Sequence, residues 1–214
     1  MKALGMIEVF SFSTAVYVAD VAAKAADVKV IAFDRNRPKS ATAPAPLVMI
    51  VKIEGNVSAV RSAVEAGASY AKEQGKYIVS HIIPNPAPSV ELMGYKMDIN
   101  KDKYNKILPK SFLNAEPVKQ KKQSIGLLEV DGLVASIEGL DSMLKTSAVR
   151  LVHTEKRLGG RLVTYVIKGS VSAVEAAVAN GITAAQKLGK VYGHEVIANP
   201  HDEIIKFFDM GEDE

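Results

Sequence analysis

One pattern occurs twice in this chain. Leu4-Gly5-Met6-Ile7-Glu8-Val9 returns as Ile125-Gly126-Leu127-Leu128-Glu129-Val130. Asp20 and Lys24 return as Asp141 and Lys145. Gly55-Asn56-Val57-Ser58-Ala59-Val60 returns as Gly169-Ser170-Val171-Ser172-Ala173-Val174, and Gly75-Lys76 as Gly189-Lys190. Ile83-Pro84-Asn85-Pro86 returns as Ile197-Ala198-Asn199-Pro200. The offset is 121 over the first third of the copy and 114 after it. The single gap falls between Ala32 and Leu47, where the first copy is seven residues longer. A repeat of this period requires both halves to adopt one fold, and 214 residues suit two small domains.

Each copy reads as strand, helix, strand, strand, helix, strand. Residues 4–10 alternate and form a strand. Ser11 or Ser13 is placed to cap the helix that follows, which runs to about Ala26. Val28–Phe33 and Leu47–Ile53 are β-branched and apolar, the second and third strands. Asn56 opens a long helix from Val57 to about Gln74, and Gly75 stops it. Tyr77–Ile83 is the fourth strand, ended by Pro84 and Pro86. Val57, Val60, Val64, Ala68 and Ala71 recur at helical spacing and mark the face toward the core, as do Val171, Val174, Val178, Ile182 and Ala185. The order β-α-β-β-α-β is ferredoxin-like, so the fold class is α+β with two tandem domains. The expected division is 1–86 for the first domain, 87–123 for a linker with a short helix around Ser89–Tyr95, 124–208 for the second domain, and 209–214 for an acidic tail.

The residue inventory narrows the function. There is no cysteine, which excludes disulfides, thiolate nucleophiles and cysteine-held metals. The net charge of +3 is too small to indicate nucleic acid, and the lysines at 119, 121 and 122 read as a solvated linker. No apolar run is long enough to span a membrane, and Met1–Val9 lacks the layout of a signal peptide, so the expected location is the cytosol. His81, His153, His194 and His201 have no metal-site or triad spacing, and structural or exposed roles are expected for them. Glu8 and Glu129 recur together as strand acids, for which a structural hydrogen bond is expected. Neither a catalytic constellation nor a phosphate-cradling loop is present, so no enzyme activity and no cofactor are expected.

The residues narrow the fold to one resemblance. The strand at Ala3–Val9, the helix ending Asp20-Val21-Ala22-Ala23-Lys24, the segment Gly169–Gly181 and the segment Val196–Ile204 together resemble the bacterial microcompartment (BMC) shell domain, in its tandem, non-permuted form. The resemblance implies a homotrimer that imitates a hexamer and tiles a shell in the bacterial cytoplasm. Other shell proteins, hexamers and pentamers, would lie beside it, with encapsulated enzymes inside. It implies a central pore for small metabolites, lined by the loop between strands two and three of each copy: Arg37, Pro38, Lys39, Ser40, Ala41 and Thr42 in one, Arg157, Leu158, Gly159, Gly160 and Arg161 in the other. Both loops are basic, which favours anionic or carbonyl metabolites. It also implies tile-edge contacts at Lys24, Lys145, Asn85 and Asn199, the two asparagines standing where the family usually has arginine. The iron–sulfur role of some tandem members does not carry over to a chain without cysteine. The competing reading is a trimeric ferredoxin-like ligand sensor.

Overall fold

A computed structural model describes residues 2–36, 47–86, 123–155 and 161–208. The expected short helix at Ser89–Tyr95, the acidic tail, and the candidate pore residues Arg37–Thr42 and Arg157–Gly160 lie outside the described residues. The first copy comprises β1 (Ala3–Phe10), α1 (Phe12–Ala25), β2 (Val28–Asn36), β3 (Val48–Gly55), α2 (Val57–Glu73) and β4 (Tyr77–Ile83). The second comprises β5 (Ser124–Asp131), α3 (Leu133–Thr146), β6 (Val149–Glu155), β7 (Leu162–Gly169), α4 (Val171–Ala185) and β8 (Val191–Ile197), and α5 (Asp202–Phe207) follows it. Each copy forms a four-stranded antiparallel sheet, ordered β2-β3-β1-β4 and β6-β7-β5-β8. The α+β, tandem ferredoxin-like expectation matches this topology.

Fine structure repeats along with topology. The β1–β4 ladder slips between Glu8 and Val9, and the β5–β8 ladder slips at the equivalent Glu129 and Val130. Asn56 and Ser170 cap α2 and α4 by accepting from the amides of Ala59 and Ala173. Gly5 and Gly126 let these helices lie close on their sheets. A Cβ on Gly5 would fall 2.8 Å from Val60 and Val64, and one on Gly126 would fall 2.7 Å from Val174 and Val178.

The α1 terminus departs from the sequence expectation. Ser11 occupies the N-cap position, but neither Ser11 nor Ser13 caps α1 with its side chain. Ser11 has φ 82°, a conformation that costs a residue with a Cβ, and the equivalent Gly132 has φ 94°. The capping group comes instead from Glu129 in the other copy.

The two copies share a core. One buried cluster joins Ile7, Phe12, Val16 and Phe33 of the first copy to Ile125, Leu127, Ile197 and Ile204 of the second. A second cluster, with Leu128, Met143, Val174 and Val178, sits under α3 and α4. Helix α1 is therefore covered on both sides, by its own sheet and by β5, β8 and α5 of the other copy.

Candidate assembly surfaces

The seam between the copies carries polar contacts at its ends and along its length, set among apolar ones. At one end, Glu129 Oε2 accepts from Ser11 Oγ at 2.7 Å, from the amides of Phe12 and Ser13 at 3.0 and 3.2 Å, and from Ser13 Oγ at 3.4 Å. A carboxyl group thus meets the positive end of α1, where unpaired amides need an acceptor. Gly193, beside Glu129 on β8, makes room: a Cβ there would fall 2.2 Å from Ser13 Oγ and 2.5 Å from Ser11 Oγ. Burial raises the Glu129 pKa, outweighing the bonds from Ser11, Ser13 and Phe12 and the Lys76 charge, and its Oε1 has no hydrogen-bond partner among the described residues.

Farther along, Tyr17 and Tyr70 stack with ring centroids 4.3 Å apart, and Tyr70 Oη donates to Glu195 Oε2 at 2.8 Å. Burial pushes Glu195 up to about 7, against the pull of the Tyr70 bond and the Lys76 charge. Burial is also the main cause that raises Tyr70, with the Glu195 bond adding to it. Lys76 Nζ donates to the Tyr192 carbonyl at 2.7 Å. Near the far end of α1, Asp20 accepts from the His201 amide at 2.6 Å through Oδ1 and from Lys24 Nζ at 2.6 Å through Oδ2. Helix α5 then lays Phe207 and Phe208 against Phe12, with ring centroids 6.4 and 6.5 Å away.

The same elements are open on the opposite sides of the chain. On β5, Leu127 and Glu129 are buried beneath α1; on β1, their equivalents Met6 and Glu8 are half-exposed. Glu129 makes the structural hydrogen bonds expected of it, whereas Glu8 makes none among the described residues. Helix α3 exposes Leu133 by 57%, Val134 by 73%, Ile137 by 51% and Leu144 by 40%. Their equivalents on α1 are Phe12, Ser13, Val16 and Ala23, all buried. Beside Leu133 lies a hollow of about 520 Å³ lined by Asp131, Gly132, Leu133, Arg161, Leu162 and Leu188. The equivalent of Leu133 in the first copy, Phe12, is packed instead by Phe207 and Phe208.

A family model described as the BMC domain matches residues 3–86 and, a second time, residues 124–200. The chain belongs to the BMC domain family. With two BMC domains in tandem, it is a microcompartment shell protein. The carboxysome assembly protein CcmO of Synechococcus elongatus is 31% identical over 203 residues, 95% of this chain and 67% of that one. Single BMC-domain relatives match about one copy. The shell protein EutM of Escherichia coli K12 is 39% identical over 89 residues, 42% of this chain and 91% of its own. The shell protein PduA of Salmonella typhimurium LT2 is 40% identical over 90 residues, 42% of this chain and 95% of its own.

The tile-edge candidates of the BMC domains are all exposed. Lys24 and Lys145 make the same i,i+4 pair, with Asp20 and Asp141 respectively, each at 2.6 Å. Asp20 brings Lys24 to the strand end that carries Asn199, two residues before His201. Asn85 and Lys145 are not joined in this way among the described residues. Arg161, the described member of the second candidate pore loop, has φ 66° and sets its Nε 3.4 Å from Asp131 Oδ1. His201 caps α5 through Nδ1, and the His153 ring lies 5.4 Å from that of Phe208, both structural placements. Sequence reasoning missed Ser11, Ser13, Tyr17, Tyr70, Gly193 and Glu195 as seam residues. All six positions carry different residues in the two copies, but so do most of their neighbours, so the difference does not single them out.

Proposed function

We propose that three chains of this shell protein close into a ring of six BMC domains, a tile with a small central pore that is not itself an enzyme. The observation that carries the reading is the mismatch of exposure between repeats. Leu133, Val134 and Ile137 are exposed on α3, while their equivalents on α1 are buried where α1 packs between its own sheet and β5, β8 and α5 of the second copy. Each chain thus owns one filled seam and two open halves of another. Such a head-to-tail contact builds a closed ring when its rotation closes. The basic loops containing Arg37, Lys39, Arg157 and Arg161 would line the opening and favour anionic or carbonyl metabolites. The exposed Lys24, Lys145, Asn85 and Asn199 would meet neighbouring tiles.

Native mass tests the ring. Chains of 23.0 kDa give about 69 kDa as a trimer, and a stable monomer at micromolar concentration would refute the reading. Charge reversal of Arg37 and Arg157 tests the pore: anion flux through reconstituted tiles falls if the loops line it and is unchanged if they do not.

A further inference from the structure

The filled seam inside the chain is a template for the open one, and translating it residue by residue changes its chemistry. On the helix side, Ser11, Ser13 and Tyr17 of α1 correspond to Gly132, Val134 and Glu138 of α3. On the strand side, Glu129, Gly193 and Glu195 correspond to Glu8, Val79 and His81. The matched register of the β1–β4 and β5–β8 ladders supports the correspondence, since Glu8 faces Val79 as Glu129 faces Gly193, and Met6 faces His81 as Leu127 faces Glu195. The positive φ shared by Ser11 and Gly132 supports it on the helix side.

From this correspondence we infer that the α3 N-terminus of one chain docks on β1 and β4 of a second copy, with Glu8 capping the amides of α3, Val79 packing over Gly132 against Val134, and His81 facing Glu138. The inference rests on the trimeric reading above and adds which residues meet. Volume is exchanged where Ser11 meets Gly193. Inside the chain the helix carries the side chain, Ser11, and the strand carries the space, Gly193. At the open seam the helix carries the space, Gly132, and the strand carries the side chain, Val79, with the apolar Val134 in place of Ser13 beside it. Both Val79, exposed by 49%, and Val134 are apolar groups in water that this contact would cover. Charge fits as well. Inside the chain the acid Glu195 is on the strand and meets tyrosines on the helices. At the open seam the acid Glu138 is on the helix and the strand offers the imidazole of His81. Among the other groups brought there, Lys190 would reach the carbonyl of Ile78, as Lys76 reaches that of Tyr192. Asp141 would stand where Asp20 stands.

The two seams are therefore not interchangeable. Seating α3 on β8 would set Glu138 beside Glu195 and leave Gly132 over Gly193 with nothing between them. Seating α1 on β4 would drive Val79 into Ser11, since a Cβ on the equivalent Gly193 already falls 2.5 Å from Ser11 Oγ. Like copies reject one another, so the copies must alternate around the ring.

Because the chain contains no cysteine, a disulfide can report the contact. The double variant Val79→Cys, Val134→Cys is oxidised mildly and run on a denaturing gel without reductant. The expected product is a covalent trimer, with no cross-link from either single variant. A 69 kDa native assembly, about three chains, that forms no covalent trimer would overturn this pairing while leaving the ring intact. A monomeric native mass would overturn the pairing and the ring together. A second pair guards against a folding defect: Glu138→Lys is expected to weaken trimerisation at least tenfold in the dissociation midpoint, and adding His81→Glu to restore it. Failure of the double variant to recover would argue against the His81–Glu138 contact.

Discussion

Glu195 offers a quantitative test of the seam inside the chain. Its carboxyl is displaced from 4.5 to about 7, chiefly by burial against α1 and α2. The folded chain therefore holds a proton there that the unfolded chain has lost. Stability from this group is complete below pH 4.5, falls as pH rises through the window to about 7, and is then flat. The full displacement corresponds to a ceiling of about 3 kcal/mol, and screening at this half-buried site reduces it to about 1–2 kcal/mol. Replacing Glu195 with Gln keeps an acceptor for Tyr70 and removes the charge. The variant should match wild type near pH 5 and exceed it at pH 8 by about 1–2 kcal/mol, or roughly 3–6 °C in Tm. His194, whose pKa burial lowers, works in the opposite sense below about pH 6.5. The quantity to compare is accordingly the difference between variant and wild type at each pH, from thermal unfolding followed by circular dichroism. A difference that is the same at pH 5 and pH 8 would refute the argument.

Two further outcomes are expected. Phe208→Ala strips a buried ring from Phe12 and His153 and should cost about 3 kcal/mol in chemical denaturation; a loss under about 1 kcal/mol would show that α5 contributes little to the seam. Asn56→Ala and Ser170→Ala remove equivalent caps and should each cost about 1 kcal/mol, nearly equally, because the two helices begin in the same way.

Much of the fold could be read from the sequence because it is local and repeated. The Gly5–Val60–Val64 contact follows from a small strand residue opposite a valine stripe, and the duplicate at Gly126 makes coincidence untenable. The seam was harder to read. Ser11 looks like an ordinary helix cap in one dimension, and only the packing of the two copies reveals that an acid 118 residues away supplies the cap and that Ser11 donates to it. Tyr17, Tyr70 and Glu195 belong to three separated elements and have no common spacing. The pairing of Lys24 with Asp20 is a helix-spacing contact and could have been inferred, but the second role of Asp20, holding the His201 amide, crosses the seam.

In the proposed ring, covalent linkage of the two domains alters the response to dilution. Six free domains would close with a dependence on the sixth power of their concentration. Here every second joint would be intramolecular, held by Glu129, Tyr70 and the aromatic residues of α5 at an effective concentration set by the covalent connection and not by dilution. Ring closure then depends on only the third power, and a partly built ring has fewer ways to be wrong. The joint inside the chain never has to find its partner by diffusion, so it can keep a buried acid and a left-handed serine that a joint formed by collision would be less able to bear.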